Sequence, residues 1–321
     1  MQKFKLSSIF NQKFVLIFIS ILSIIVLGLA IRLAIKVVEK RLRSIHYQVS
    51  YNGSELIEAQ NQTIQILLGS KLDTFASLLK IYEAKDEHGD IKLIRLGRDN
   101  DGGYIVPEKS LVSADVLFGY GIDNDISFEE TFSNKYNKPS YGFDCGIESI
   151  KSTSKLFTFV NECISSDSSL YGMQKSSTKI SSFTEQIKNL NLADKKIFIK
   201  MDIEGAEFDA LQEVIKNPHN VTGIAFEMHL FKKHIDFDKG IKLLKDLEND
   251  FVLVHLHGLN CGSRFNSNYA KGGIPYQIEF TYINKALLTN YRVSKNQSHP
   301  TELDMPNDAL KPEVKFTILE K

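Results

Sequence analysis

Three acidic side chains, Asp202, Glu204 and Glu207, lie within six residues of one another directly after an apolar run. The run, from Lys196 to Asp202, is typical of a buried strand, and Gly205 indicates a turn before an amphipathic helix. Carboxylates that share one strand end repel each other, so the cluster costs free energy in folding. Such a cost indicates a functional site at this strand end.

Two glycines, Gly119 and Gly121, follow another apolar run, and there the backbone can approach a ligand closely. A tight strand-to-helix turn explains them equally well, because the third glycine of a dinucleotide fingerprint is missing. Asp144 comes 23 residues after Gly121, near the spacing at which an acid accepts both hydroxyl protons of a ribose. Asp144 is therefore predicted to bind a ribose; the alternative is a helix cap or a surface acid.

Four more candidates follow two later strands: Glu227, His229, His255 and His257. Side chains at positions i and i+2 of a strand point to one face, so we expect these groups to converge at the same edge of the sheet. They are predicted to be catalytic, either as a general base that deprotonates a hydroxyl or as a divalent metal site shared with Asp202. The alternative is that the histidines only form hydrogen bonds at the edge of the sheet.

Short β-branched or aromatic runs alternate with amphipathic stretches after residue 89, which predicts an α/β fold with a parallel sheet. The expected strands are Val112–Gly119, Ser140–Asp144, Phe157–Val160, Lys196–Asp202, Val221–Phe226, Phe251–His255 and Gln277–Ile283. The expected helices are Ile126–Tyr136, Ala206–Lys216 and Asp238–Asn249. In such sheets the ligand lies beyond the carboxyl ends of the strands, where the acids and glycines above are found.

The string KMDIEGAE at residues 200–207 resembles the FkbM family of S-adenosylmethionine-dependent methyltransferases. The Gly-Tyr-Gly turn and Tyr141-Gly-Phe-Asp144 are also similar to that family. Further similarity is found at DGGY (101–104), FEMH (226–229) and HLHGLN (255–260). The resemblance covers about residues 91 to 320 and implies a seven-stranded, Rossmann-like methyltransferase sheet.

The resemblance also implies the residues around S-adenosylmethionine: Gly119, Gly121, Asp144, Asp202, Glu204, Asp101 and Tyr104. It places the two glycines beside the methionine part and Asp144 on the ribose. It places Asp202 and Glu204 at the floor of the pocket. The loop from Asp101 to Tyr104 would close over the cofactor, whereas its residues alone equally fit a hairpin turn.

The function implied is O-methylation of a sugar or another small hydroxyl-bearing acceptor. Two alternatives stay open, a nicotinamide-dependent oxidoreductase and a non-catalytic, membrane-tethered scaffold with a degenerate methyltransferase domain. Residues 44–321 carry 31 basic and 38 acidic side chains. Nucleic acid is therefore not an expected partner, because phosphate binding needs a basic surface.

The N-terminal region predicts a membrane anchor. Residues 1–13 form a basic tail, and the apolar residues 14–35 are long enough to cross a hydrocarbon core of about 30 Å. A cleaved signal peptide is the alternative, but the apolar run exceeds the usual length of its hydrophobic core. Basic residues are slightly more frequent after the run than before it, so we expect a single-pass protein whose catalytic domain is cytoplasmic.

Residues 36–88 are predicted to be a helical stalk or linker, because Leu68, Leu72, Phe75, Leu79 and Tyr82 recur at steps of three and four. The stalk would either dimerise the chain as a short coiled coil or pack on its own domain. The methyltransferase domain is predicted to span residues 89–321.

Overall fold

The computed structural model describes residues 36, 38, 41, 69–165, 179–230 and 237–319. The chain divides into two compact units, Met1–Ile64 and Gln65–Lys321. In the first unit, Lys36, Val38 and Arg41 are helical and exposed. Among the described residues, the structure contains no helix whose length and hydropathy suit a membrane span. The predicted transmembrane helix, residues 14–35, lies outside the described residues, as does most of the predicted stalk.

Seven strands form the central sheet of the second unit. In chain order they are β5 (Val116–Tyr120), β6 (Ser140–Phe143), β7 (Phe157–Val160), β10 (Ile197–Met201), β11 (Val221–His229), β12 (Phe251–Gly258) and β15 (Gln277–Asn284). Across the sheet their order is β7-β6-β5-β10-β11-β15-β12. Only β15 runs antiparallel to its neighbours. The predicted α/β fold with seven strands is confirmed, and the sheet is mostly rather than wholly parallel.

Helices and small sheets cover the faces and edges of the central sheet. The helices are α1 (Glu108–Ser113), α2 (Ser127–Tyr136), α3 (Phe183–Asn189), α4 (Glu207–Val214) and α5 (Phe237–Asp250), with 3₁₀ turns at Pro218–Asn220 and Lys285–Leu287. The remaining strands are β1 (Tyr82–Asp86), β2 (Gly89–Asp90), β3 (Leu93–Leu96), β4 (Tyr104–Pro107), β8 (Cys163–Ile164), β9 (Ile180–Ser181), β13 (Arg264–Ser267), β14 (Ala270–Pro275), β16 (Asn290–Val293), β17 (Ser298–His299) and β18 (Phe316–Ile318).

The central strands are mostly apolar because both of their faces are covered. Every residue of β5 and of β10 is buried, including the long side chain of Lys200. In α5, by contrast, Phe237, Gly240, Leu243, Leu244 and Leu247 are buried at helical spacing, so only one face of that helix meets the core. Strands buried on both faces read as continuous apolar runs, which is why the sequence located them well.

Two predicted boundaries differ most from the structure. The first strand of the sheet begins at Val116 rather than Val112, because Val112 is an exposed residue of α1. In the described part of the predicted stalk, residues 69–77 are helical and Tyr82–Asp86 forms β1, which pairs with β16 and β2. The pairing of β1 with β16 joins residues about 200 positions apart and leaves no signal in the local sequence. The predicted helix was therefore extended too far along the chain.

The helical residues 69–77 pack on their own domain. Leu72 and Phe75 are fully buried, and the Phe75 ring lies 5.8 Å from the Phe237 ring of α5. Lys71 Nζ also lies 2.5 Å from Asp238. For this part of the predicted stalk the structure favours packing on the domain; a homodimer through the earlier residues stays a prediction.

Replacing Phe75 by Ala tests this packing. Loss of a fully buried aromatic side chain should lower the free energy of unfolding by about 3–5 kcal/mol in guanidinium denaturation. The matched control is Val112→Ala, at a side chain that is 54 % exposed, which should change stability by less than about 0.5 kcal/mol. Equal stability of the two variants would show that residues 69–77 do not belong to the folded domain.

Candidate active site

A cavity of about 450 Å³ opens at the carboxyl ends of β5 and β10. These two strands are neighbours, and successive strands extend away from them in opposite directions, so the cavity lies at the point where the strand order reverses. Ligands of open α/β sheets bind at this point. The lining residues are Arg98, Asp101, Gly102, Tyr120, Gly121, Ile122, Asp123, Asp125, Phe128, Glu129, Phe143, Asp144, Cys145, Glu162, Cys163, Ile164, Lys200, Asp202, Ile203 and Glu204.

The two predicted glycines have different roles in the structure. Gly121 lines the cavity with φ of +69°, and a Cβ there would collide with the carbonyl oxygen of Asp202. Gly119 lies within β5, where a Cβ would collide with the buried carboxylate of Glu129. Gly119 therefore makes room for Glu129, whereas Gly121 allows the turn beside the cavity.

Asp144 follows β6 and lines the cavity, as its predicted role requires. One carboxylate oxygen accepts a hydrogen bond from the Asp123 N–H at 2.9 Å, and the other accepts one from the Gly146 N–H at 2.6 Å. A carboxylate can accept about four hydrogen bonds, so both oxygens keep capacity for a ligand. Of the residues of the 101–104 loop, Asp101 and Gly102 line the cavity, whereas Tyr104 is buried in β4.

Cys145 and Cys163, at the cavity wall, form a disulfide whose Cα atoms are 5.1 Å apart. The three cysteines are scattered along the sequence, and their spacing is not typical of a disulfide framework. Strands β6 and β7 are adjacent and parallel, so the segments after them emerge side by side. The pairing arises from that adjacency and has no signature in the spacing of the cysteines.

Sequence reasoning missed two buried acids of the cavity, Glu129 of α2 and Glu162. Glu129 is 1 % exposed, and burial raises its pKa to about 7, although nearby Lys200 lowers it. One oxygen of each carboxylate is buried and has no hydrogen-bond partner within the described part of the chain. A charged residue in a helical pattern is usually on the surface, so only the apolar residues around Glu129 could have indicated its burial.

A cluster of ionisable groups lies at the ends of β10 and β11, around the imidazole of His229. Its Nδ1 lies 3.1 Å from Glu207, and its Nε2 lies 3.1 Å from Glu227, 3.2 Å from Glu204 and 3.9 Å from Asp202. His229 and Glu207 are fully or almost fully buried, whereas the Glu204 side chain is 61 % exposed. Glu204 has φ of +59°, which turns its side chain toward the histidine. Of the four residues that were predicted to converge, the structure brings Glu227 and His229 together at this strand end.

The cluster shifts the pKa values of its members. Burial disfavours the charged form of His229, but hydrogen bonds with Glu207 and Glu227 outweigh it and raise the pKa to about 10. Burial, with repulsion from Asp202, raises the pKa of Glu227 to about 7. Burial also raises the pKa of Asp202. His229 is thus protonated at neutral pH and is not a general base in this arrangement, whereas Glu227 can exchange a proton near pH 7.

Comparison with known proteins identifies the domain. Residues 119–265 match the family model of the Methyltransferase FkbM domain. Somewhat less than half of the chain is therefore similar to an FkbM methyltransferase domain, called the FkbM domain below. The resemblance to that family is therefore confirmed over the glycine turn, Asp144 and the acidic strand end. A solved structure, the crystal structure of a fibrillarin/Nop5p complex, covers 54 % of this chain and 73 % of its own at 11 % identity and a TM-score of 0.32. The curated proteins contain no significant match.

His255 and His257 belong to a second buried cluster of ionisable groups, together with three acids. His255 Nε2 is 2.9 Å from Asp304, and His257 is 3.1 Å from Glu279 and 3.3 Å from Glu313. Glu279 belongs to β15, beyond the family match, and pairs with Glu227 on one side and His257 on the other. The structure therefore places Glu227 and Asp202 around His229, whereas two strands, β11 and β15, separate Asp202 from His255 and His257.

His257 is also unsuited to accept a proton at neutral pH. Burial lowers its pKa, but hydrogen bonds with Glu279 and Glu313 outweigh it and raise the pKa to about 10. Neither His255 nor His257 lines the cavity of the FkbM domain. For these two residues the structure favours the alternative of the sequence analysis, in which the histidines form hydrogen bonds within the protein.

The stability of the FkbM domain should depend on pH through His257. Its pKa is raised on folding, so the protonated ring stabilises the folded state fully below about pH 6.5, and this stabilisation is lost as the pH rises to about 10. The difference in free energy of unfolding between the native protein and His257→Gln should shrink across that range, by at most about 1.4 kcal/mol per pH unit. Denaturant titrations between about pH 7 and 10 measure it. His88→Gln, at a side chain 83 % exposed, is the control; a constant difference for His257→Gln would contradict the prediction.

Proposed function

We propose that this protein is an S-adenosylmethionine-dependent methyltransferase that methylates a hydroxyl group of a sugar or another small acceptor. The observation that carries the proposal is the cavity at the strand-order reversal, with Gly121 at the turn and Asp144 at the neighbouring strand end. The match to the FkbM methyltransferase domain supports methyl transfer. The sequence resemblance to that family supports S-adenosylmethionine as the cofactor. The hydroxyl acceptor follows from the resemblance and from the acids at the ends of β10 and β11.

The charge of the cavity favours a cationic cofactor. Eight acidic and two basic residues line it: Asp101, Asp123, Asp125, Glu129, Asp144, Glu162, Asp202 and Glu204, with Arg98 and Lys200. A dinucleotide would bring a pyrophosphate into this acidic surface, which argues against the nicotinamide-dependent alternative. S-adenosylmethionine carries a sulfonium and an ammonium group, and both are attracted to carboxylates.

The buried acids fit the polar groups of that cofactor. A buried carboxylate oxygen without a hydrogen-bond partner costs about 1–3 kcal/mol or more, and Glu129 and Glu162 each carry one in the cavity wall. Both can accept N–H groups of a ligand, while Asp144 can accept ribose hydroxyls. The three acids lie on α2, after β7 and after β6, so they can hold different ends of one extended molecule.

S-adenosylmethionine, when bound, supplies a methyl group on a positively charged sulfur. Methyl transfer to a hydroxyl would require a residue near the cavity to take the hydroxyl proton. Glu227, whose pKa of about 7 suits proton exchange at neutral pH, is the group we assign to receive it. Asp202 and Glu204, which line the cavity and contact the same histidine, connect this base to the cofactor site.

Cofactor binding can be measured by titrating S-adenosylhomocysteine into the full-length chain in detergent solution. We expect saturable binding in calorimetry, and Asp144→Asn should weaken it about 10- to 100-fold through loss of a charge-assisted hydrogen bond. The control is Asp194→Asn, an exposed acid outside the cavity. A folded native chain that binds no S-adenosylhomocysteine would contradict the proposed function.

We also propose that residues 14–35 anchor the enzyme in a membrane, with the catalytic domain on the cytoplasmic side and a dimer formed through the stalk. The basic residues that follow the apolar run support this orientation. The Cys145–Cys163 disulfide supports the opposite orientation, with the catalytic domain on the non-cytoplasmic side, because disulfides persist mainly in oxidising compartments. Orientation decides which acceptors the enzyme can meet.

Protease accessibility in sealed membranes distinguishes the two sides. For the proposed orientation, protease added to the cytoplasmic face should digest the domain, and thiol alkylation in intact cells should modify Cys145 and Cys163. Cys261, which is a free exposed cysteine, is the internal control for alkylation. A protected domain in which only Cys261 is alkylated would place the enzyme on the other side.

A further inference from the structure

The Nε2 atom of His229 faces three carboxylates from three parts of the chain. Glu227 lies on β11 at 3.1 Å, and Glu204 and Asp202 lie in the turn after β10 at 3.2 Å and 3.9 Å. A ring nitrogen carries at most one hydrogen, which one carboxylate suffices to accept. Three carboxylates therefore face one ring nitrogen, and a single proton on that nitrogen can satisfy only one of them.

Glu207 holds the opposite side of the same ring. It is fully buried, and its oxygens accept hydrogen bonds from the Ile203 and Gly205 N–H groups at 2.9 to 3.1 Å. It also lies 3.1 Å from Nδ1 of His229. When a cation displaces the Nε2 proton, a carboxylate that accepts the Nδ1 hydrogen leaves the Nε2 lone pair facing the cation, and metal-binding histidines are held in this way.

Asp202 provides an independent observation. About a quarter of its side chain is exposed, yet its Oδ1 atom is buried and has no hydrogen-bond partner within the described residues. This atom is the one that lies 3.9 Å from His229 Nε2. One ligand atom each of Asp202, Glu207 and His229 lie within 4.8 Å of one another. A buried carboxylate oxygen needs a hydrogen-bond donor or a cation.

We propose that Asp202, Glu204, Glu227 and His229 bind one divalent cation, with Glu207 as a positioning residue. Four carboxylates surround one imidazole, and a divalent charge compensates a negative charge that a single imidazolium leaves unbalanced. Carboxylate ligands suit Mn²⁺ and Mg²⁺, and an imidazole ligand suits Zn²⁺ and Fe²⁺. The mixed set of one nitrogen and three carboxylates indicates Mn²⁺ or Zn²⁺.

The cation site adds a metal to the proposed methyltransferase site. The role of the metal toward the acceptor hydroxyl rests on the proposed function, whereas metal binding does not. Asp202 and Glu204 line the cavity, so the cation would lie beside the bound cofactor. A cation there would bind an acceptor hydroxyl and lower its pKa, so Glu227 would be a cation ligand in the metal-bound enzyme and the proton acceptor only without the metal. The cation site itself requires only the contacts within the cluster.

Binding of Mn²⁺ to the full-length chain, without cofactor, tests the site. The electron paramagnetic resonance signal of free Mn²⁺ should decrease with a stoichiometry of one per chain, and Zn²⁺ is titrated in parallel by calorimetry. Glu204→Gln removes a largely exposed ligand with little risk to folding, so it should weaken binding and abolish the rise in Tm that the metal produces. Glu207→Gln should weaken binding about 10- to 100-fold. The matched control is Glu302→Gln, an exposed acid away from the cluster.

The sign of the stability change separates a metal site from a structural cluster. In excess chelator, Glu204→Gln removes repulsion and should raise Tm, whereas with metal present it should lower Tm relative to the native chain. Absence of saturable binding of both Mn²⁺ and Zn²⁺, or binding unchanged in Glu204→Gln and Glu207→Gln, would overturn the site. Binding of S-adenosylhomocysteine is measured separately, so failure of one proposal leaves the other standing.

Discussion

The carboxylate of Glu207 is the interaction on which the candidate site depends. It is fully buried, and a buried charge is stable only when its hydrogen-bonding capacity is used. Glu207 uses that capacity to bind two backbone N–H groups of the turn after β10 and the imidazole at the end of β11. One side chain at the start of α4 thereby fixes a turn, a histidine and the directions of the neighbouring acids.

The strand-order reversal determines where those acids can act. Since β5 and β10 are adjacent while their successors extend to opposite sides, a gap opens above their carboxyl ends. Gly121 and Asp202 approach each other across this gap closely enough to exclude a Cβ at position 121. The acids of the cavity together form one negatively charged surface. Because they come from several strand ends, no single sequence motif contains this surface.

The antiparallel strand β15 has a different effect. By entering between β11 and β12, it places Glu279 between Glu227 and His257. The second histidine cluster is thereby separated from the cavity and finds its partners in the C-terminal residues Asp304 and Glu313. Two pairs of similar residues, Glu227 with His229 and His255 with His257, consequently have different surroundings although both lie at strand ends.

The sequence by itself determined the elements and the acids at their ends. Fully buried strands such as β5 and β10 read as apolar runs. The acids Asp144 and Asp202 directly follow the runs of β6 and β10, so the local pattern sufficed to find them. The family motif added the methyltransferase domain. Only the tertiary structure decided the burial of Glu129 and Glu162, the pairing of Cys145 with Cys163, the strand at Tyr82–Asp86 and the separation of the two histidine clusters. The physical reason is that each depends on which strands are neighbours, and strand adjacency joins residues whose spacing along the chain carries no signal.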